Sequence, residues 1–114
     1  MFVQVTVRPL VVQGEYPSLL ARAHEGAGDS DAGVRAWSAQ AIGDIGPDAA
    51  EAVPALIALL KNHDVGSRNS AAIALRQIGP EAKSALPALR EALSDPNQDV
   101  RRFAALAIEK IEAH

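Results

Sequence analysis

Apolar and small residues recur along the chain at helical spacing. Val34, Trp37, Ser38, Ala41, Ile42 and Ile45 follow one another at i, i+3, i+4, i+7, i+8 and i+11, a single helix face. The pattern returns as Ser67, Ser70, Ala71, Ala74, Leu75 and Ile78, and again as Val100, Phe103, Ala104, Ala107, Ile108 and Ile111. Three helices are predicted, over residues 32–45, 65–78 and 98–112. Asp31, Asp64 and Asn97 stand just before them, where a side-chain oxygen can cap free backbone N–H groups. Gly46-Pro47 and Gly79-Pro80 stop the first two. Glycine tolerates a left-handed C-terminal position, and proline cannot continue a helix.

Between these helices lies a second pattern. Shifting the chain by 33 residues aligns 45–60 with 78–93 without a gap, and nine of the sixteen positions are identical. The same register aligns Arg35 with Arg68 and Arg101, and Ala39 with Ala72 and Ala105. Such self-similarity marks a repeat architecture. Pro54 and Pro87 are compatible with helices if they occupy first turns, where no intrahelical donor is lost. Helices over 53–61 and 86–94 follow, with Leu56, Leu60, Leu89 and Leu93 facing inward. "DAAEA" and "EAKSA" become short connections. Upstream, "PSLLARAHE" (17–25) fits the second pattern, followed by a loop four residues longer. The chain therefore reads as half a repeat, two repeats and half a repeat over 17–114, all antiparallel helices. Residues 1–16 form a separate extension, in which Val3, Val5 and Val7 alternate with polar neighbours as a short strand would until Pro9.

Composition changes the picture in three ways. The 23 alanines suit helices that approach closely. The formal charge of −3 disfavours binding along a phosphate backbone, which needs a basic face. Cysteine is absent, so no thiolate chemistry is expected. No apolar run is long enough to span a membrane. The first residues lack a signal-peptide pattern, and a cytoplasmic protein is expected.

Candidate chemistry is sparse. His24, His63 and His114 lie on separate elements, so no metal site is expected. Asp29, Asp31 and Gly33 echo a calcium loop, but the twelfth position is Gln40 rather than glutamate, and helix capping by Asp31 is the simpler role. No Ser-His-acid set or phosphate loop is present, so neither enzymatic activity nor a cofactor is expected. Arg35, Arg68 and Arg101 are expected to pair with loop carboxylates such as Asp31, Asp64 and Asp99, laddering neighbouring repeats. Trp37 and Phe103, at aligned positions, are expected to pack in or beside the core. The larger side chains of the last helix, Phe103, Ile108 and Ile111, would leave an apolar face with no following helix. The corresponding expectation is self-association through that helix or the N-terminal strand, or else a chain that is a fragment of a longer array.

The "VR" pairs Val34-Arg35 and Val100-Arg101, the "IGP" stops and the "VPAL" and "LPAL" helix starts together resemble HEAT-like repeats of the bilin-lyase (PBS lyase) type. The resemblance covers about 17–114. Gly66-Ser67 depart from it, replacing an acidic–aliphatic pair, which is expected to weaken that helix start. The resemblance implies an all-α, right-handed α–α superhelix, with first helices outside and second helices lining the concave side.

On those second helices, positions that differ between matching repeats are where partner choice is encoded. Ala55, Ala58 and Lys61, with Ala88 and Glu91, turn outward on the helical wheel; Ile57 and Arg90 flank them, and Ser18 is the upstream counterpart. A non-enzymatic scaffold binding another protein, as a peptide or helix, is the first expectation. The resemblance also raises an accessory role in bilin attachment or detachment and, third, DNA binding.

Overall fold

The computed structural model describes residues 26–28 and 31–113. The strand reading of 1–16 and the helix reading of 17–25 lie outside them. Five α-helices run through the described part: α1 Ala32–Ile45, α2 Val53–Leu60, α3 Val65–Ile78, α4 Leu86–Ala92 and α5 Gln98–Glu112. Two 3₁₀ connectors, Gly46–Ala52 and Gly79–Ala85, stand where the short connections were expected. Among the described residues there is no strand, and the three long helices pack side by side, α1 on α3 and α3 on α5. Each second helix packs on the first helix that follows it, α2 on α3 and α4 on α5. The fold is an all-α HEAT-like solenoid.

The caps are those the sequence specifies. Asp31 accepts from the Val34 N–H at 3.1 Å, Asp64 from the Ser67 N–H at 2.9 Å, and Asn97 from the N–H groups of Asp99 and Val100. Gly66-Ser67 does not weaken the start of α3, because the Ser67 hydroxyl adds a second bond to Asp64 at 3.0 Å. At the helix ends the expectation of a left-handed glycine is corrected. Gly46 has φ 80 and ψ −144, and Gly79 has φ 76 and ψ −143. The following proline excludes α-type ψ from the residue before it. Positive φ therefore combines with extended ψ, a region open to glycine almost alone.

Burial follows position in the stack rather than helical pattern alone. The middle helix α3 has neighbours on both sides and buries Ser67, Ala71, Ala72, Ala74, Leu75 and Ile78. Helix α1 buries Arg35, Ser38, Ala39, Ile42 and Gly43 instead, while Val34 and Trp37 are 38% and 52% exposed. The expected core role of Trp37 is thus not met, whereas its aligned partner Phe103 packs against the core. On the second helices Leu56, Leu60 and Leu89 are buried as expected, and Leu59 joins them. Leu93 is not buried: it is 43% exposed, against 5% for its counterpart Leu60. A following helix layer covers Leu60, and none among the described residues covers Leu93.

Close approach of α1 to α3 has a specific cause. A Cβ at Gly43 would lie 3.0 Å from the Ala74 Cα and 2.1 Å from the Gln77 side-chain oxygen. The glutamine tip can swing away, but the helix backbone cannot. Gly43→Leu is therefore expected to destabilise by about 1–3 kcal/mol, the usual cost of overpacking, read as a lower midpoint in denaturant.

The arginine ladder exists with partners that differ in part from those expected: Arg35 lies close enough to Asp64 of the next repeat to add to the lowering of its pKa by Ser67, while Arg68 takes Asp95. Arg68 Nε reaches Asp95 Oδ2 at 2.7 Å, and the same guanidinium donates to the carbonyls of Asn62 and His63. Arg101 repeats the second half of this arrangement on the carbonyls of Asp95 and Pro96. Arg35 donates to the Ser67 hydroxyl at 2.9 Å, linking α1 to the capped start of α3. Asp31 and Asp64 cap helices, and Asp99 lies near Arg102 on its own helix.

Two carboxylates in this ladder have lowered pKa values. The backbone and hydroxyl bonds from Ser67 hold Asp64 below the usual 3.8. For Asp95, burial pushes upward, but the Asn97 N–H and the Arg68 guanidinium together outweigh it and the net direction is down. A lowered folded pKa means that the unfolded chain binds protons first as pH falls. The stabilisation is complete above the unfolded value and is lost as pH drops through the folded ones. Denaturation followed from neutrality into strong acid should show this loss below the unfolded value near 3.8. Asp95→Asn should flatten that part of the curve.

Candidate functional site

The proposed partner positions divide by burial. Ala58 and Lys61 on and after α2, and Arg90 and Glu91 on α4, are exposed; Ala55 and Ile57 are half-buried. Ala88, read from the helical wheel as outward-facing, is 8% exposed and belongs to the core. Ser18 lies outside the described residues. Helices α2 and α4 hold these side chains through the same local chemistry. Proline enters each helix in its first turn, and Leu56 or Leu89 anchors it. Arg90 is also tied to Glu112 of α5 by an exposed ion pair at 2.5 Å. That contact orients the guanidinium along the edge where α4 meets α5.

A second concavity was not legible in the sequence. Gln40 and Asp44 of α1, with Ser70, Ile73 and Gln77 of α3, line a groove of about 310 Å³ between the two first helices. It is lined by one carboxylate, two amides, a hydroxyl and an aliphatic side chain. Aligned sites 40 and 73, or 44 and 77, carry unrelated residues, so repeat periodicity gives no signal for them. Their joint position depends on the close approach at Gly43.

Both surfaces offer hydrogen-bonding groups on rigid helices, an arrangement suited to recognition. With the stack, its glycine–proline stops and its laddered loops in view, the family is clear. The family model described as HEAT repeats matches residues 16–109, and the chain belongs to that family. HEAT repeats commonly mediate binding to other proteins, and proteins built from them are typically non-enzymatic scaffolds. A comparison with curated proteins finds no match. Among the described residues no helix is long and apolar enough to cross a membrane.

Proposed function

We propose that the outward surface of the second helices binds a peptide or a single helix of another protein, as a non-enzymatic scaffold. One observation carries this reading: between two helices related by the 33-residue register, the central buried anchor is the same, Leu56 or Leu89, while the outward positions that follow it differ in size and charge. Leu56 and Leu89 match, as do Pro54 and Pro87, while Ile57, Ala58 and Lys61 stand opposite Arg90, Glu91 and Ser94. Fold maintenance explains the matches. It does not call for Lys61 and Glu91, which with Arg90, an exposed cation shared with Glu112, give a mixed charge that favours a segment bearing both signs beside small apolar side chains.

Selection of binders from a peptide library tests the proposal. Lys61→Glu and Glu91→Lys should each weaken a selected peptide by about tenfold or more, the scale of one interface contact worth over 1 kcal/mol. Asp44→Lys and Gln77→Lys, in the first-helix groove, should leave it unchanged. The opposite pattern would move the binding surface to that groove and overturn the proposal.

A further inference from the structure

The groove between α1 and α3 gathers acceptors that meet no cation. Gln40 and Asp44 line one wall, and Ser70, Ile73 and Gln77 line the other. Its volume of about 310 Å³ lies at the small end of the range for ligand sites. The ion pairs among the described residues are Arg68–Asp95, Arg90–Glu112 and Arg102–Asp99, and Asp44 takes part in none of them. Nor does any side-chain hydrogen bond among the described residues engage Gln40, Asp44, Ser70 or Gln77. The Gln77 side-chain oxygen occupies the space that a Cβ at Gly43 would take. Bare backbone at Gly43 thus admits an amide of α3 to the cleft that holds the carboxylate of α1.

Helix ends make the imbalance sharper. Asp44 lies in the last turn of α1, where the helix dipole is already negative. The last turn of α3 carries Arg76 and that of α5 carries Lys110, whereas the last turn of α1 carries no basic residue.

The 33-residue register supplies a comparison inside the same molecule. Between α3 and α5, Gln77 and Lys110 take the positions that Asp44 and Gln77 hold between α1 and α3. Lys110 reaches across to the C-terminal end of α3, its Cε lying 3.8 Å from where a Cβ on Gly79 would stand. The later cleft therefore receives a long cationic side chain from the chain itself. The earlier one has a glutamine in place of that lysine and a carboxylate in place of a neutral amide. On α5 itself, Ile111 is buried and Phe103 and Ile108 pack against the core, so those three do not form the exposed apolar face expected of that helix.

We infer that the α1–α3 cleft binds an arginine side chain presented by another protein. The guanidinium meets Asp44 and the amide oxygens of Gln40 and Gln77, and Ile73 packs against the methylenes of the stem. Arginine suits this cleft better than lysine because the acceptors stand on two facing helices. A planar fork directs donors to several of them at once, whereas an ammonium is a compact point charge. The site shares no residue with the second-helix surface and does not rest on it.

Titration of the full nitrogen-15-labelled chain with the blocked peptide acetyl-Ala-Arg-Ala-amide, in about 150 mM salt, tests the inference. Shifts are expected in the side-chain amide signals of Gln40 and Gln77 and in backbone signals around Asp44 and Ile73. A Kd of about 1 mM is expected, the scale for one anchoring side chain. The same peptide with citrulline, which keeps the shape and lacks the charge, or with lysine should bind about tenfold more weakly or worse. Asp44→Asn should weaken the arginine peptide by about tenfold or more. Gln77→Lys gives α3 the residue that α5 has at the equivalent position and should abolish binding, the cation now coming from within the chain. Both positions are exposed, so helicity by circular dichroism should be retained. Lys61→Glu and Glu91→Lys should leave this titration unchanged, which keeps its outcome separate from that of the second-helix surface.

A parent chain that shows no saturable shift would overturn the inference, as would equal binding of the citrulline or lysine peptide. Shifts of equal size at exposed carboxylates outside the cleft, such as Asp48 and Glu81, would overturn it too, since the peptide would then follow net charge alone.

Discussion

Leu56→Ala is expected to destabilise the protein by about 2–5 kcal/mol, the range for a large-to-small change at a buried site. Leu56 is completely buried at the centre of α2, the helix that seats the first repeat on α3. Deleting its isobutyl group loses transfer free energy and leaves a cavity. The core is rich in alanine, which is too short to fill space by changing rotamer. Ala49, Ala52 and Ala71 are themselves fully buried with no side-chain torsion to use, so relaxation requires a backbone shift and the upper half of the range is expected. Pro54→Ala, two residues away, provides the control. Pro54 is exposed in the first turn of the same helix, so its replacement restores a donor that needs no intrahelical partner. Denaturant midpoints should separate the two variants clearly. Equal shifts would show that the proline is not where the helix starts.

The second large effect is expected at the Arg68–Asp95 link. Arg68→Ala removes a guanidinium whose side chain is 16% exposed and leaves Asp95, 9% exposed, without its cationic partner. Two loop carbonyls, of Asn62 and His63, lose their donor at the same time. Breaking a fully dry pair costs about 3–5 kcal/mol, and the residual solvent contact here reduces the expectation to about 2–4 kcal/mol. Asp95→Ala should cost less, because the arginine keeps both carbonyls. The double variant should fall well short of the sum of the single losses, since much of each is the cost of stranding the other partner. Additive losses would mean that the two side chains act separately and that the ladder is not a coupled unit.

Much of this fold was legible because the repeat supplies its own control. The starts and ends of α1, α3 and α5 match the expected 32–45, 65–78 and 98–112, as a capping oxygen starts all three and glycine–proline ends the first two. The second helices end slightly earlier than expected, at Leu60 and Ala92, where no glycine marks a stop. Which residues of a helix are buried was less legible. Trp37 and Phe103 are equivalent in sequence and differ in structure because Phe103 packs against a preceding first helix, whereas none among the described residues precedes Trp37. A periodicity count weighs both alike. The arginine partners were only partly foreseen: Arg35 does act on Asp64 of the adjoining repeat, but Arg68 takes Asp95 instead. Asp95 lies between repeats and comes within reach of Arg68 only after the stack has formed, so nothing in the sequence singles it out. The second-helix surface could be located by comparing repeats. The first-helix groove could not, because it exists only where two non-equivalent sets of residues approach each other.

The two connectors are near replicas. After glycines of matching φ and ψ, Ala49 turns at φ −94 and ψ 18 and Ala82 at φ −99 and ψ 26, before Val53 and Leu86 both enter their helices at φ −55. A hinge of fixed angle, used twice, makes length an independent variable. Inserting a further copy of residues 46–78 would present its new neighbours with surfaces they already meet, so the backbone need learn no new geometry. Stability in such a stack grows as a sum of unit and nearest-neighbour terms. A chain lengthened by this one segment should therefore melt higher than its parent. Reach can thus be adjusted in whole modules, with residues such as Lys61, Arg90 and Glu91 free to vary from one module to the next.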